Sequence, residues 1–144
     1  MSSYHLVIFD FYDTVVHMED EIWLPRNGIP ELLRSLGEAG KSMAICSDAG
    51  EEKIRQRLGN LLCYFRGIYG SSTCFIEEGA LYKNLERVCE DSDIPKEKAV
   101  FIGDNHRGTD ERSAQRYGIE YIRVPHSDEE HGYDFLALAA RLLS

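Results

Sequence analysis

Short unbroken apolar runs alternate along this chain with segments whose apolar residues recur every three or four positions. Leu6, Val7, Ile8 and Phe9 form the first run. Residues 4–10 are therefore read as a strand covered on both faces, since a half-exposed strand would alternate apolar with polar. Residues 29–39 carry Ile29, Leu32, Leu33, Leu36 and Ala39 on one helical stripe, with Pro30 suited to the first turn and Gly40 to the stop. SMAIC at 42–46 predicts a second buried strand. Ile54, Leu58, Leu61 and Leu62 predict a helix over 51–62, and GIYG at 67–70 a short strand. Leu81, Leu85, Val88 and Cys89 predict a helix over 80–90. Beyond a loop marked by Pro95, AVFIG at 99–103 is a strand, 109–117 a helix stopped by Gly118, IEYIRV at 119–124 a strand, and 133–143 a last amphipathic helix.

This alternation of strand and helix predicts an α/β fold, a three-layer, doubly wound, Rossmann-like parallel sheet with right-handed crossovers. Ligands of such sheets bind at the carboxyl ends of the strands. The residues expected there are Asp10 after the first strand, Ser47 and Asp48 after the second, and Asp104 after the fourth. No repeat or low-complexity segment interrupts the pattern. The polar run SDEEHGYD at 127–134 reads as a solvated loop. His126 and His131, beside acidic residues, have the right residue types for a metal site, but simple exposure is the plainer reading.

A length of 144 residues suits one domain, 1–144, with one core. No apolar stretch approaches the roughly 20 residues of a membrane span. The segment MSSYHLVIFD enters a strand directly, without the basic region, apolar core and small-residue cleavage site of a secretory signal. Cys46, Cys63, Cys74 and Cys89 form no CxxC pair, so reduced thiols and a cytoplasmic location are expected. The net charge of −9 repels nucleic acid and anionic membrane, and neither is an expected partner. An anionic small substrate stays open, because a metal ion or a few local cations can reverse the field at a site.

Asp10, Ser47, Lys83 and Gly103-Asp104, with Asp110 beyond, bring a carboxylate nucleophile, a hydroxyl, a lysine and metal-binding carboxylates into one order. That set suits phosphoryl transfer, which needs in-line positioning and cations against spread-out oxygen charge. Mg²⁺ accepts one or two carboxylates plus waters and phosphate. A carboxylate is a competent nucleophile through an aspartyl phosphate. Each residue also has a mundane reading. Asp10 and Ser47 sit where caps and turns occur, Lys83 can be a solvated helix residue, and Gly-Asp is a common turn.

The order of these motifs resembles that of the haloacid dehalogenase superfamily, whose members are mostly Mg²⁺-dependent phosphatases. Asp10-Phe11-Tyr12-Asp13-Thr14 resembles the family's DxDxT at the end of its first strand. GIPELLRSLGEAGKSMAICSDAG resembles the helix and strand leading to the second-motif hydroxyl, Ser47. Lys83 stands where the third-motif lysine is expected, early in a helix, and AVFIGDNHRGTD resembles the fourth motif. The resemblance implies Asp10 as nucleophile, and Ser47, Lys83 and the backbone N–H of Asp48 on the phosphoryl oxygens. It also implies Mg²⁺ held by Asp10, Asp104 and the backbone carbonyl of Tyr12. The chain has room for no cap, only a loop and one helix between Thr14 and Ser47 and little more between Ser47 and Lys83. A homo-oligomer partner or a large substrate, small-molecule or macromolecular, would then have to cover the site.

The first and fourth motifs depart from the family's pattern. The family's phosphatases carry an acid/base Asp where this chain has Tyr12, a loss typically worth about 10²–10⁴ in rate, for which the Tyr12 hydroxyl, with a reference pKa of about 10, is a poor substitute donor. Asp13 can substitute only if the chain turns immediately after Asp10, since in extended chain residues i and i+3 do not share a face; otherwise it caps the following turn. Tyr at this position also occurs in the family's 2-haloacid dehalogenases. Dehalogenation is therefore one alternative, opposed by the missing cap and by Asp104. A catalytically silent protein that binds a partner or phosphorylated ligand is the other. Asp104 to Asp110 is longer than the usual spacing, leaving Asp110 to bind Mg²⁺ through water or to hold Lys83. His106 and Arg107, in the same loop, either contact substrate or are simply exposed, the plainer reading, and Trp23 either lines the entrance or packs.

Overall fold

The computed structural model describes residues 3–144. Strand β1, Leu6–Phe9, lies at the centre of the molecule. It is followed by two short strands, β2 (Val16–Glu19) and β3 (Ile22–Pro25), paired antiparallel as a hairpin. Then come helix α1 (Ile29–Glu38), strand β4 (Ser42–Cys46), helix α2 (Glu51–Leu58) and strand β5 (Gly67–Tyr69). A second antiparallel hairpin joins β6 (Phe75–Glu77) to β7 (Ala80–Tyr82). Helix α3 (Leu85–Ser92), strand β8 (Ala99–Gly103), helix α4 (Thr109–Tyr117), strand β9 (Glu120–Arg123) and helix α5 (Ala139–Leu143) complete the chain.

The five longer-range strands form one parallel sheet in the order β5-β4-β1-β8-β9. From β1 the chain first builds outward through β4 and β5, then returns to β8 on the other side. The order therefore reverses at β1, and the crevice of a doubly wound sheet lies at its carboxyl end. Alternate residues of the central strands feed two separate cores. Val7, Phe9, Ile45, Val100 and Ile102 meet Leu32, Leu33 and Leu36 of α1, Ile54 and Leu58 of α2, and Phe135, Leu138 and Leu142 near the C-terminus. Leu6, Ile8, Ala44, Cys46 and Phe101 meet Leu85, Val88 and Cys89 of α3 and Ala114 of α4. Helices thus cover both faces, which is why the strand runs are apolar throughout. No helix among the described residues is long and apolar enough to cross a membrane.

Three predicted elements are corrected. The segment 80–90 is not one helix: residues 80–82 are β7, and Asn84 Oδ1 caps α3 by accepting from Arg87 N at 3.1 Å. The helix over 51–62 ends at Leu58, where Gly59 takes a positive φ of 54°, and a 3₁₀ segment follows. The last helix begins as a 3₁₀ turn over Phe135–Leu138. The space between Thr14 and Ser47 holds the β2–β3 hairpin as well as α1, and that between Ser47 and Lys83 holds the second hairpin. Neither insertion builds a cap.

Candidate active site

Asp10 leaves β1 with its backbone still on the sheet, its N–H donating to Ile102 O at 2.8 Å. The chain then turns at once. Thr14 N and Val15 N both donate to Phe11 O, at 3.2 and 2.8 Å. Asp13 sits at the turn with a positive φ of 60°, a conformation that Asp tolerates better than most residues. Thr14 is buried beneath: its Oγ1 donates to Asp10 Oδ2 at 3.3 Å and accepts from Asp104 N at 3.2 Å. One hydroxyl thereby fastens the ends of β1 and β8 together.

The turn overturns the capping expectation for Asp13. Its Oδ1 accepts from Ser127 Oγ at 2.5 Å, and its Oδ2 lies 3.2 Å from His126 Nε2. Both partners belong to the segment after β9, so the run 127–134 is more than a solvated loop: Ser127 is buried in it. Arg26, buried at the end of β3, holds the same segment by donating to Pro125 O and Asp13 O at 2.7 Å and to Glu130 O at 3.2 Å.

Lys83 does not lie in a helix. It occupies the loop between β7 and α3, pinned by its backbone N–H to Ser113 Oγ at 2.9 Å. Its ammonium is buried and donates to Asp10 Oδ1 at 2.7 Å and Asp110 Oδ1 at 2.5 Å. Asp110, in the first turn of α4, therefore holds Lys83, one of its two expected roles. Burial alone would pull the Lys83 pKa down, but the two carboxylates outweigh it and raise it, so the lysine is a fixed cation. Gly103 makes the approach feasible. A Cβ there would stand 2.2 Å from Asp110 Oδ2 and 3.2 Å from Asp10 Cβ.

Ser47, at the end of β4, is buried, with its Oγ accepting from Ala49 N at 3.1 Å. Asp10, Tyr12, Asp13, Ser47, Asp48 and Lys83 share one cavity of about 230 Å³, with His106, Arg107, Thr109 and Asp110 completing its wall. His106 and Arg107 are exposed as expected, yet they stand at its rim. Trp23 packs on the Tyr12 ring at 4.6 Å, and the Arg57 guanidinium lies 5.2 Å from the Trp23 ring, so Trp23 backs the cavity rather than lining it.

The charges in this crevice do not balance. Carboxylate oxygens of Asp10, Asp104 and Asp110 lie within 4.8 Å of one another, all three buried, with one buried ammonium among them. Burial and then Asp10 push the Asp104 carboxyl up to about 8. Burial and Asp10, partly offset by Lys83, push Asp110 up to about 6. Asp104 Oδ2 is buried without a hydrogen-bond partner. An orphaned buried carboxylate oxygen facing a second carboxylate fits a divalent cation, and an all-oxygen donor set fits a hard one such as Mg²⁺. Arg26 and Ser127 carry no sequence signal for a place at the site, whereas Asp13 is a candidate there only on condition of an immediate turn, which the structure supplies. The sequence signal for Asp13 was its place three residues from Asp10, which counts only once the turn is known.

Residues 4–124 match the model of the haloacid dehalogenase-like hydrolases. No curated protein matched the chain. Among solved structures, a superfamily hydrolase from Ehrlichia chaffeensis is 20% identical with a TM-score of 0.70, covering 100% of both chains. A candidate phosphatase of Clostridium difficile is 15% identical, TM-score 0.77, covering 99% of this chain and 100% of its own. The N-terminal part of a Bacteroides fragilis protein, containing a phosphatase domain complexed with Mg, is 15% identical, TM-score 0.71, covering 99% of this chain and 41% of the other.

Proposed function

Since the chain belongs to the haloacid dehalogenase-like hydrolases, we propose that it is a Mg²⁺-dependent phosphohydrolase acting on a phosphomonoester through an aspartyl phosphate. The observation that carries this reading is the uncompensated carboxylate triad with its orphaned Asp104 oxygen. Asp10 and Asp104, with the Tyr12 backbone carbonyl, would hold the ion. Bound there, it supplies the positive charge that lets an anionic carboxylate approach an anionic phosphoryl group.

The residues of the chain then divide the work. Asp10, oriented by Lys83 and Thr14, attacks phosphorus in line with the leaving oxygen. Ser47 Oγ, the Asp48 N–H and Lys83 hold the non-bridging oxygens. Tyr12 has no carboxyl to protonate the leaving group, and Asp13 takes that role from the turn. It gives its proton to the departing alkoxide, then takes one from the water that attacks the aspartyl phosphate. Phosphate leaves and Asp10 is regenerated. His126 and Ser127, both in contact with Asp13, keep it aimed and hydrogen-bonded through the cycle. The open rim suits a large substrate, small-molecule or macromolecular, or a second copy of the chain covering the site. An acidic surface disfavours nucleic acid and anionic membrane as partners.

The test is phosphate release from p-nitrophenyl phosphate and a panel of phosphorylated metabolites, with and without Mg²⁺, by the native protein and Asp10→Asn. The expected result is turnover that needs both Mg²⁺ and Asp10. Turnover by Asp10→Asn equal to native would sink the reading. Metal binding without turnover on any substrate would favour a silent binding protein. Halide release from a 2-haloacid would favour dehalogenation.

A further inference from the structure

His17, Glu19 and His131 meet on the flank of the β2–β3 hairpin, away from the carboxylate triad. His17 and Glu19 are two apart on β2 and so point to the same face. His131 arrives from the segment after β9. One ligand atom from each lies within 4.8 Å of the other two. The two imidazole rings are 5.0 Å apart between centroids, and His17 Nε2 is 3.8 Å from Glu19 Oε2, too long for a hydrogen bond. His17 is buried, while Glu19 and His131 are exposed and free to rotate.

We propose that these three residues form a second metal site, for a borderline divalent transition ion of the Zn²⁺ type. Zn²⁺ takes imidazole nitrogen and carboxylate oxygen at about 2.0–2.2 Å, which in a tetrahedral site sets ligand atoms about 3.3 Å apart. Ligand atoms up to 4.8 Å apart need up to about 1.5 Å of closure, within reach of the two exposed side chains. Two imidazoles and one carboxylate are a poor set for Mg²⁺, which prefers oxygen, so the two sites sort by metal. Burial and then His131 lower the His17 pKa, against the opposing pull of Glu19, and so favour the neutral imidazole that donates a lone pair. The positive charge of Arg26 is directed into three carbonyl oxygens, and Glu19 supplies the compensating negative charge.

The site would join two pieces of chain that also meet through Arg26 and Asn27. The hairpin would be tied to the segment whose Ser127 and His126 hold Asp13. A metal here is then a clip on the wall of the active site, and its binding is independent of whether the phosphatase reading holds.

Asp104, His106 and His126 form the one rival cluster of mixed ligands among the described residues, so the test must separate the two. The full chain, stripped of metal and held in saturating Mg²⁺, is titrated with Zn²⁺ by calorimetry and by thermal melting. One equivalent should bind and raise Tm. Glu19→Gln and His131→Ala, both surface changes, should each weaken binding about tenfold or more and remove the Tm gain. His106→Ala should leave both unchanged. Absence of Zn²⁺ binding overturns the proposal. So does binding that survives Glu19→Gln and His131→Ala but is lost in His106→Ala, which would put the metal at the active site.

Discussion

In the proposed reaction Asp13 takes the acid/base role of the carboxylate that Tyr12 replaces. The side chain of Tyr12 packs against Phe11 and Trp23, while its neighbour, rotated by the turn at φ 60°, faces the cavity. If Asp13 protonates the leaving oxygen, its loss must depend on how much help that oxygen needs. Asp13→Asn should lower kcat by about 10²–10⁴ on alkyl phosphates, far less on p-nitrophenyl phosphate, with KM little changed. Steady-state kinetics on the two substrate types checks this. An equal loss on both would mean that Asp13 only supports the turn.

The elements around the site are held by buried polar contacts as much as by the sheet. Arg26 links the end of β3 to the first-motif turn and to the segment after β9 through three carbonyl oxygens. Arg26→Met should cost about 3 kcal/mol, because the part-buried carbonyls of Asp13 and Pro125 lose their donor, and should lower Tm on the order of 10 °C. Hydrogen exchange should rise first in residues 125–134. Protection unchanged there would contradict the linking role. The centre of the main sheet was legible from the sequence because β1 and β8 are unbroken apolar runs and β4 is one after Ser42. The hairpins were not. In β2–β3 the central turn residues are Asp20 and Glu21, both at positive φ, without the Asn-Gly or Asp-Gly that marks such turns. In β6–β7 the turn is Glu78-Gly79, and Leu81 falls into helical spacing with Leu85, so strand and helix merge into one apparent stripe. Asp10, Ser47, Lys83 and Asp104 were legible by their order along the chain. Asp13 and Ser127 were not, since their contact spans 114 positions and exists only in the folded chain.

For the molecule as a whole, the acidic crevice is a store of instability that a bound cation would relieve. The carboxyls of Asp104 and Asp110, pushed up to about 8 and about 6, keep protons in the folded chain that the unfolded chain loses near pH 4. Their contribution to stability is therefore complete below about pH 4 and is lost as pH rises through about 8. The metal-free protein should lose Tm between about pH 4 and 8. Mg²⁺ competes with those protons, so the Tm gain it brings should grow over the same interval. Differential scanning calorimetry with and without Mg²⁺ reads both. A Mg²⁺ increment that shrinks with rising pH would contradict the assignment of the triad as the metal site.

The account turns on a covalent bond between phosphorus and one carboxylate. The most direct measurement is acid quenching of a single turnover in Mg²⁺ with a phosphate-labelled substrate, followed by peptide mapping of the trapped protein. The account predicts label, sensitive to hydroxylamine, on the peptide containing Asp10 and none in Asp10→Asn. Full turnover with no label in the native protein at any quench time, or label on another residue, would contradict it.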